Sequence, residues 1–381
     1  MGLAPRFDLV VKGGRVIDPK NGVDRDGDIG FSGGKVASTV EALPVDSAGE
    51  TVDASGCLVV PGLIDLHAHV YVDGTSLGVD PSAVARSSGT TTFVDAGSAG
   101  AANFAGFRNH VIAHADVRVL AFLNISFPGI FGFGEGIMVG ECLDQRLLHA
   151  GECLRVANEN QDLIVGVKVR IGVGTSGELG VHPLDIAIDV ADRLQLPVMS
   201  HIGAPPPSID MVLDRLRTGD ILTHCFRPFP NAVVDGNDRP RAAFLRARER
   251  GVLFDIGHGS GSFGFDTCRA MIANGIPPDI ISSDIHAMSA KGPAYDLLVT
   301  ASKFLNLGMD VPDIVRATTS APAAAVGRHD LGHLGDGAVG DAVVLKPETG
   351  SFEYMDTTGA TMTGGSRLAL QHTIVGGRLL D

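Results

Sequence analysis

The sequence predicts an α/β protein, a (β/α)8 TIM barrel with a small discontinuous β-sandwich domain formed by the N- and C-terminal segments. Three observations predict it. From Pro61 onward, short apolar runs alternate with helix-like stretches, the pattern of βα units around a parallel sheet. Eight such runs spread over roughly 220 residues, the span of one closed barrel. The two ends of the chain share a different texture, short strands broken by Gly-rich turns, and are expected to pair as one domain.

At the N-terminus, Phe7–Lys12, Arg15–Asp18, Asp28–Phe31 and Lys35–Ala37 read as strands separated by Gly-Gly, Pro-Lys-Asn-Gly and Ser-Gly-Gly turns. At the C-terminus, Gly340–Leu345 and Thr373–Arg378 repeat the pattern. The expected division is a split β-domain of residues 1–60 and 337–381 around a barrel domain of residues 61–336. Within the barrel the apolar runs are Leu63–His69, Thr91–Asp95, Val117–Ile125, Ile164–Arg170, Pro197–His201, Ile221–His224, Val252–Ile256 and Ile280–Asp284. Helices are expected over Glu141–Glu159, Pro183–Leu196, Ser208–Arg217, Arg239–Arg250 and Asp266–Asn274. Two Gly- or Pro-rich stretches, Phe127–Gly140 and His201–Pro207, follow strands where barrel enzymes carry their active-site loops. The Gly132-x-Gly134-x-Gly136 spacing opens no clear helix and reads as a flexible loop, not a phosphate cradle.

Composition excludes several classes. The chain has 381 residues, 44% of them hydrophobic, ample for a buried core. No uninterrupted apolar run is long enough to span a bilayer and no signal peptide is recognisable, so no membrane association and a cytoplasmic location are expected. A formal charge of −14 without a basic run argues against a nucleic-acid partner. The absence of Trp argues against a base-stacking surface. Cys57, Cys142, Cys153, Cys225 and Cys268 are scattered without C-x-x-C spacing, as reduced thiols would be. The expected partner is a small-molecule substrate, with a homo-oligomer left open.

The chemistry gathers where the apolar runs end. Barrel active sites form at the C-terminal ends of the strands. The first run closes on His67 and His69, whose i, i+2 spacing puts both on one strand face. The fourth carries Lys168, the fifth ends in His201 and the sixth in His224. The seventh is followed by His258 between two glycines, and the eighth ends in Asp284-Ile-His286. Four imidazoles, a lysine and a carboxylate at one end of a barrel suit a divalent metal centre. An unpaired ammonium at Lys168 would be costly in an apolar strand, whereas a deprotonated amine that adds carbon dioxide becomes a carbamate able to bridge two metal ions. Arg170, two residues on and on the same face, suits either a clamp on a substrate carboxylate or an ion pair with a neighbouring acid. His258 and His286 are candidates for substrate contact or for orienting other groups, and the glycines on either side of His258 allow close backbone approach. His182, His329, His333 and His372 lie away from strand ends and read as surface or turn residues.

The motifs PGLIDLHAH and SSDIH, with the strand lysine and the two single histidines between them, resemble the amidohydrolase superfamily in its binuclear branch with a carboxylated lysine. Thr318–Ala323 and Gly340–Leu345 are similar to that family's late signatures. The resemblance implies two divalent ions, zinc being expected. His67, His69, Lys168 and Asp284 would hold the more buried ion, Lys168, His201 and His224 the more exposed one, and a hydroxide would bridge them. Asp284 would be the catalytic proton acceptor. HIGAPPPSID, ILTHCFRPFPNAVVD and LFDIGHGSGSFGF are similar to the deacetylase, dihydroorotase-like subgroup. That implies hydrolysis of an ester or amide bond in a small acylated carboxylic acid, an N-acyl amino acid or an O-acetyl hydroxy acid. A cyclic-amide hydrolase of the dihydroorotase or hydantoinase kind is the alternative, and a non-catalytic scaffold on a hydrolase fold is a third. Against dihydroorotase activity, Tyr71 stands where that enzyme would carry an arginine to anchor its substrate.

Overall fold

The computed structural model describes residues 6–44 and 47–380. Its strands are β1 (Phe7–Asp18), β2 (Val23–Ser32), β3 (Lys35–Val40), β4 (Ala48–Asp53), β5 (Leu58–Pro61), β6 (Leu63–Ala68), β7 (Thr90–Gly100), β8 (Arg118–Asn124), β9 (Gly132–Gly134), β10 (Ile137–Val139), β11 (Ile164–Ile171), β12 (Val198–Ile202), β13 (Ile221–Thr223), β14 (Leu253–Asp255), β15 (Ala342–Met355), β16 (Thr361–Val375) and β17 (Arg378–Leu379). The helices are α1 (Pro81–Ser88), α2 (Phe104–His110), α3 (Ala150–Glu159), α4 (His182–Leu194), α5 (Ile209–Leu213), α6 (Ala242–Glu249), α7 (Phe265–Ala273), α8 (Leu297–Asn306), α9 (Val311–Thr318) and α10 (Ser320–Ala325).

Seven strands form a curled parallel sheet in the order β14-β13-β12-β11-β8-β7-β6. Helices cover the outer face and side chains fill the inner one, so the strands are buried on both faces and read as continuous apolar runs. β7 and β11 are buried along their entire lengths. α4 shows the complementary pattern, burying Leu184, Ala187, Val190 and Ala191 at helical spacing against the sheet.

The eighth run, Ile280–Asp284, is not a regular strand. It joins the two edges by single bridges, Ile280 to Asp255 and Ile285 to Ala68, and His69 N–H donates to the Ile285 carbonyl at 2.8 Å. The reason is local: Asp284 sits at φ 48°, a left-handed conformation that a pleated strand cannot contain. Asp65, the single acid of β6, pins this segment by accepting from Ser283 N–H at 2.9 Å and from its hydroxyl.

Three expected helices are several residues shorter than their sequence pattern, and of Arg239–Arg250 only Ala242–Glu249 is helical. Glu141–Glu159 becomes an α-helix only from Ala150, after a single 3-10 turn at Gln145–Leu147, because the backbone at its start is engaged elsewhere. The Glu141 carbonyl accepts from Ser126 Oγ at 2.7 Å, and Cys142 N–H donates to the Thr175 carbonyl at 3.1 Å. Of Ser208–Arg217, only Ile209–Leu213 is helical. The stretch Phe127–Gly140 carries the antiparallel pair β9 and β10.

Both chain ends build the second sheet, in the order β17-β16-β15-β5-β1-β2-β3 with β4 also on β1. β1 is one strand with an irregularity between Val11 and Gly14, where two strands were expected. The hairpin of β15 and β16 is far longer than its C-terminal sequence texture suggested. It extends along α8, with Leu368 N–H on Ser302 Oγ at 3.1 Å and Asn306 Nδ2 on the Ser366 carbonyl at 2.7 Å. Its Tyr354 and Leu368 belong to the same apolar core as the barrel helices. Among the described residues, no helix is long and apolar enough to cross a membrane.

Candidate active site

At the C-terminal ends of the parallel strands lies a cavity of about 120 Å³, lined by His67, His69, Lys168, Arg170, His201, His224, Asp284 and His286 together with Leu77, Ile130, Phe133 and Ser260 to Ser262. All six residues expected to hold metal therefore face one space. His67, His224 and Asp284 form the tightest group, their ligand atoms within 4.8 Å of one another. Asp284 Oδ1 lies 3.3 Å from His67 Nε2 and 3.2 Å from His69 Nε2, while the His201 and His224 rings meet edge to face at 4.5 Å.

The imidazoles are oriented from behind. His224 Nδ1 is 2.6 Å from the Gly257 carbonyl, which only accepts, so Nδ1 carries the proton and Nε2 keeps its lone pair. His67 Nδ1 is 2.7 Å from Thr223 Oγ1, whose own proton goes to Asp255 Oδ2 at 2.7 Å, so here too Nδ1 donates and Nε2 is left to bind. His69 Nδ1 meets Ser98 Oγ at 2.9 Å. Burial holds His67, His201 and His224 well below the usual imidazole range and His69 down to about 3, so all four are neutral at physiological pH, the form that ligates. The free Nε2 atoms of His67 and His224, grouped with the Asp284 carboxylate, fit a divalent cation.

Lys168 Nζ lies 3.4 Å from His67 Nε2 and 3.4 Å from Met199 Sδ, with no carboxylate of the described residues in hydrogen-bond reach. Burial pulls it down to about 7, against the pull of Asp284. Burial likewise pushes Asp284 up to about 6, against His286 and Lys168. Two of the converging residues are backbone outliers, His224 at φ 64° and Asp284 at φ 48°. Left-handed non-glycine residues held by their surroundings cluster at functional sites.

Arg170 makes the ion pair that one of its two expected readings required. Nη1 pairs with the fully buried Glu141 at 3.2 Å and the guanidinium lies 5.1 Å over the Phe133 ring, yet the residue also lines the cavity. His286 Nδ1 accepts from the backbone N–H groups of Met288 at 3.3 Å and Ser289 at 3.4 Å, so its neutral ring offers an Nε2–H donor. His258 is placed differently from its neighbours. Its ring turns away from the cavity, with Nδ1 on the Gly259 carbonyl at 2.9 Å and Nε2 on Lys303 Nζ at 2.7 Å. The flanking glycines do give close backbone approach. A Cβ on Gly257 would stand 2.8 Å from His224 Nδ1, and one on Gly259 would stand 2.2 Å from Asp284 Oδ2.

Sequence reasoning missed Glu141, Phe133, Thr223 and Asp255. Asp255 carried a signal, an acid closing an apolar strand. Glu141 was hidden inside an expected helix.

The chain is 37% identical over 316 residues to a deacetylase of Agrobacterium fabrum, covering 81% of this chain and 77% of that protein. It is 32% identical over 380 residues to a deacetylase of Enterococcus faecalis, covering 98% of this chain and 99% of that one. A solved dihydroorotase superposes with a TM-score of 0.88 at 32% identity, over 97% of this chain and 98% of that one. The chain belongs to the amidohydrolase superfamily. A solved adenine deaminase is also similar, with a TM-score of 0.91 and 30% identity over 98% of this chain and 100% of that one. No family model matches the chain. Within the superfamily it falls among the deacetylase- and dihydroorotase-like members and is a metal-dependent hydrolase. That excludes the scaffold alternative.

Proposed function

We propose that this amidohydrolase releases the acyl group of a small acylated carboxylic acid, an N-acyl amino acid or an O-acetyl hydroxy acid, using two divalent ions, zinc being the expected pair. The observation that carries the reading is Arg170. Glu141 holds one guanidinium nitrogen, and the rest of the fork, in the same cavity as the histidine cluster, suits the carboxylate of a substrate. His286 adds an Nε2–H donor on the same wall.

His67, His69, Asp284, His201 and His224 would hold the ions. Lys168 would join both as a carbamate, since a buried amine with only an imidazole and a thioether in reach is poorly served as an ammonium. Bound there, the ions would activate a water and polarise the acyl carbonyl. Asp284 takes a proton from the attacking water and returns it to the leaving oxygen or nitrogen. The acyl carbon–heteroatom bond breaks, the water's hydroxyl stays on the acyl carbon, and the products are a carboxylic acid and the free hydroxy or amino acid. Leu77, Ile130 and Phe133 offer the acyl group an apolar wall.

A cyclic-amide hydrolase is the second reading, supported by relatives named dihydroorotase, one 48% identical over 68 residues or 18% of this chain. Tyr71 weighs against it. Its ring packs on Phe107 with centroids 4.7 Å apart and its hydroxyl donates to the Asn103 carbonyl at 3.3 Å, outside the cavity. The test is a hydrolysis panel on zinc-reconstituted enzyme with metal content assayed on the same sample. It sets N-acetyl-D- and L-amino acids and O-acetyl hydroxy acids against dihydroorotate, hydantoins and adenine. Acyl release is the expected result; turnover of the ring compounds or of adenine alone would overturn the proposal.

A further inference from the structure

We propose that Lys303 is a positioning residue for the catalytic cavity. Together with the turn at Met355–Thr357 it sets where the wall formed by Ser260, Gly261 and Ser262 stands.

Lys303 lies on α8, fully buried, and takes no part in the chemistry described above. Its Nζ donates to three acceptors, His258 Nε2 at 2.7 Å, the Pro293 carbonyl at 2.7 Å and the Met355 carbonyl at 2.8 Å. His258 Nδ1 faces a carbonyl and must carry the proton, so Nε2 has only a lone pair to offer. Three acceptors around one nitrogen select the ammonium, whose three protons they use up. Burial pulls Lys303 down to about 7, against the charges of Asp356 and Asp296, and the three acceptors oppose that loss of the proton. A buried cation is retained at a cost, and here it ties three separate segments to one point.

Two of those segments, at His258 and at Met355, bracket the cavity wall. On one side of Ser260, Gly259 N–H donates to the Ser283 carbonyl at 2.9 Å, and His258 is held by Lys303. On the other side of Ser262, the hairpin turn grips the chain. Phe263 N–H donates to Thr357 Oγ1 at 3.3 Å, Thr357 Oγ1 donates to the Phe263 carbonyl at 2.8 Å, and Thr357 N–H donates to the same carbonyl at 3.0 Å. Phe265 N–H donates to Asp356 Oδ2 at 2.9 Å. The wall residues are thus suspended between two anchors, and the Lys303 bond to the Met355 carbonyl locks the anchors to each other. The hairpin of the terminal sheet thereby acts on the cavity without touching it.

The inference rests on this cavity being the hydrolytic site, not on which acylated acid is the substrate. The test compares zinc-loaded Lys303→Met and Thr357→Val with the parent enzyme in two measurements. One is backbone hydrogen exchange across residues 257–265. The other is steady-state kinetics on whichever panel compound the parent hydrolyses. Expected are exchange at 259–263 accelerated at least tenfold, KM raised about tenfold and kcat lowered less than threefold, with two metals retained. Thr357→Val lies at a partly exposed turn and serves if the lysine variant fails to fold. If no panel compound is hydrolysed, exchange still decides the matter while the substrate reading fails separately. Parental exchange at 259–263 in both variants, or a lower melting temperature as the only change, overturns the proposal.

Discussion

The proposed reaction gives Asp284 two tasks, metal ligand and base, and its surroundings suit both. Its Oδ1 faces two imidazole nitrogens at 3.2 and 3.3 Å, while burial raises its proton affinity towards that of a useful base. Asp284→Asn keeps an oxygen for metal but loses the basic site. It should retain metal by elemental analysis while turnover falls about a hundredfold or more; near-parental rates would remove the assigned role. Lys168→Ala should lose binuclear metal content, with partial recovery of metal and activity when a short carboxylic acid is supplied in place of the carbamate. Two metals bound without such an acid would refute the carbamate. Arg170→Met should raise KM about tenfold or more for anionic acyl substrates, the cost of roughly one charge-assisted hydrogen bond. An equal rise for a neutral ester would discard the carboxylate clamp, because the damage would then come from stranding Glu141.

The segment after β14 shows at the level of an element why Gly-His-Gly is built as it is. Gly257 at φ 47° and Gly259 at φ 55° thread the backbone past Thr223, His224 and Asp284, where any side chain would collide. Gly259→Ala combines a left-handed alanine, about 1–2 kcal/mol, with a Cβ 2.2 Å from Asp284 Oδ2. It should lower thermal stability and cut activity more than tenfold. Gly236→Ala, whose Cβ meets nothing within 4 Å, is the control and should leave both unchanged. Melting curves and rates on the pair would show whether the effect belongs to the site or to glycine replacement in general.

For the whole molecule, the two sheets are mechanically one body. Arg118 of the barrel pairs with Asp341 at 2.8 Å, Gly62 N–H donates to the Asp341 carbonyl at 2.9 Å, and the β15–β16 hairpin shares its core with the barrel helices. One calorimetric transition is therefore expected, not two. Chelating the metal should move that transition down by several degrees, since a ligand present at a thousand times its Kd stabilises by about 4 kcal/mol. Zinc with bicarbonate should restore it; a transition indifferent to chelator would mean that the histidine cluster holds no ion in the folded protein.

What the sequence determined by itself was whatever depends on short range. Alternation of apolar runs set the parallel strands, and a polar residue closing such a run had to lie at a strand end. His67, His69, Arg170, His201, His224, Asp284 and His286 were legible for that reason, Lys168 because an unpaired ammonium is costly inside an apolar strand, and the structure gathers them around one cavity. Tertiary structure alone decided the rest. Glu141 reaches Arg170 across 29 residues and Lys303 reaches His258 across 45, so no local period encodes either contact. His258 makes the point most plainly. Its flanking glycines announced a close approach, but in a loop no periodicity fixes which way a side chain turns. The backbone makes the approach, and the ring faces the lysine behind it.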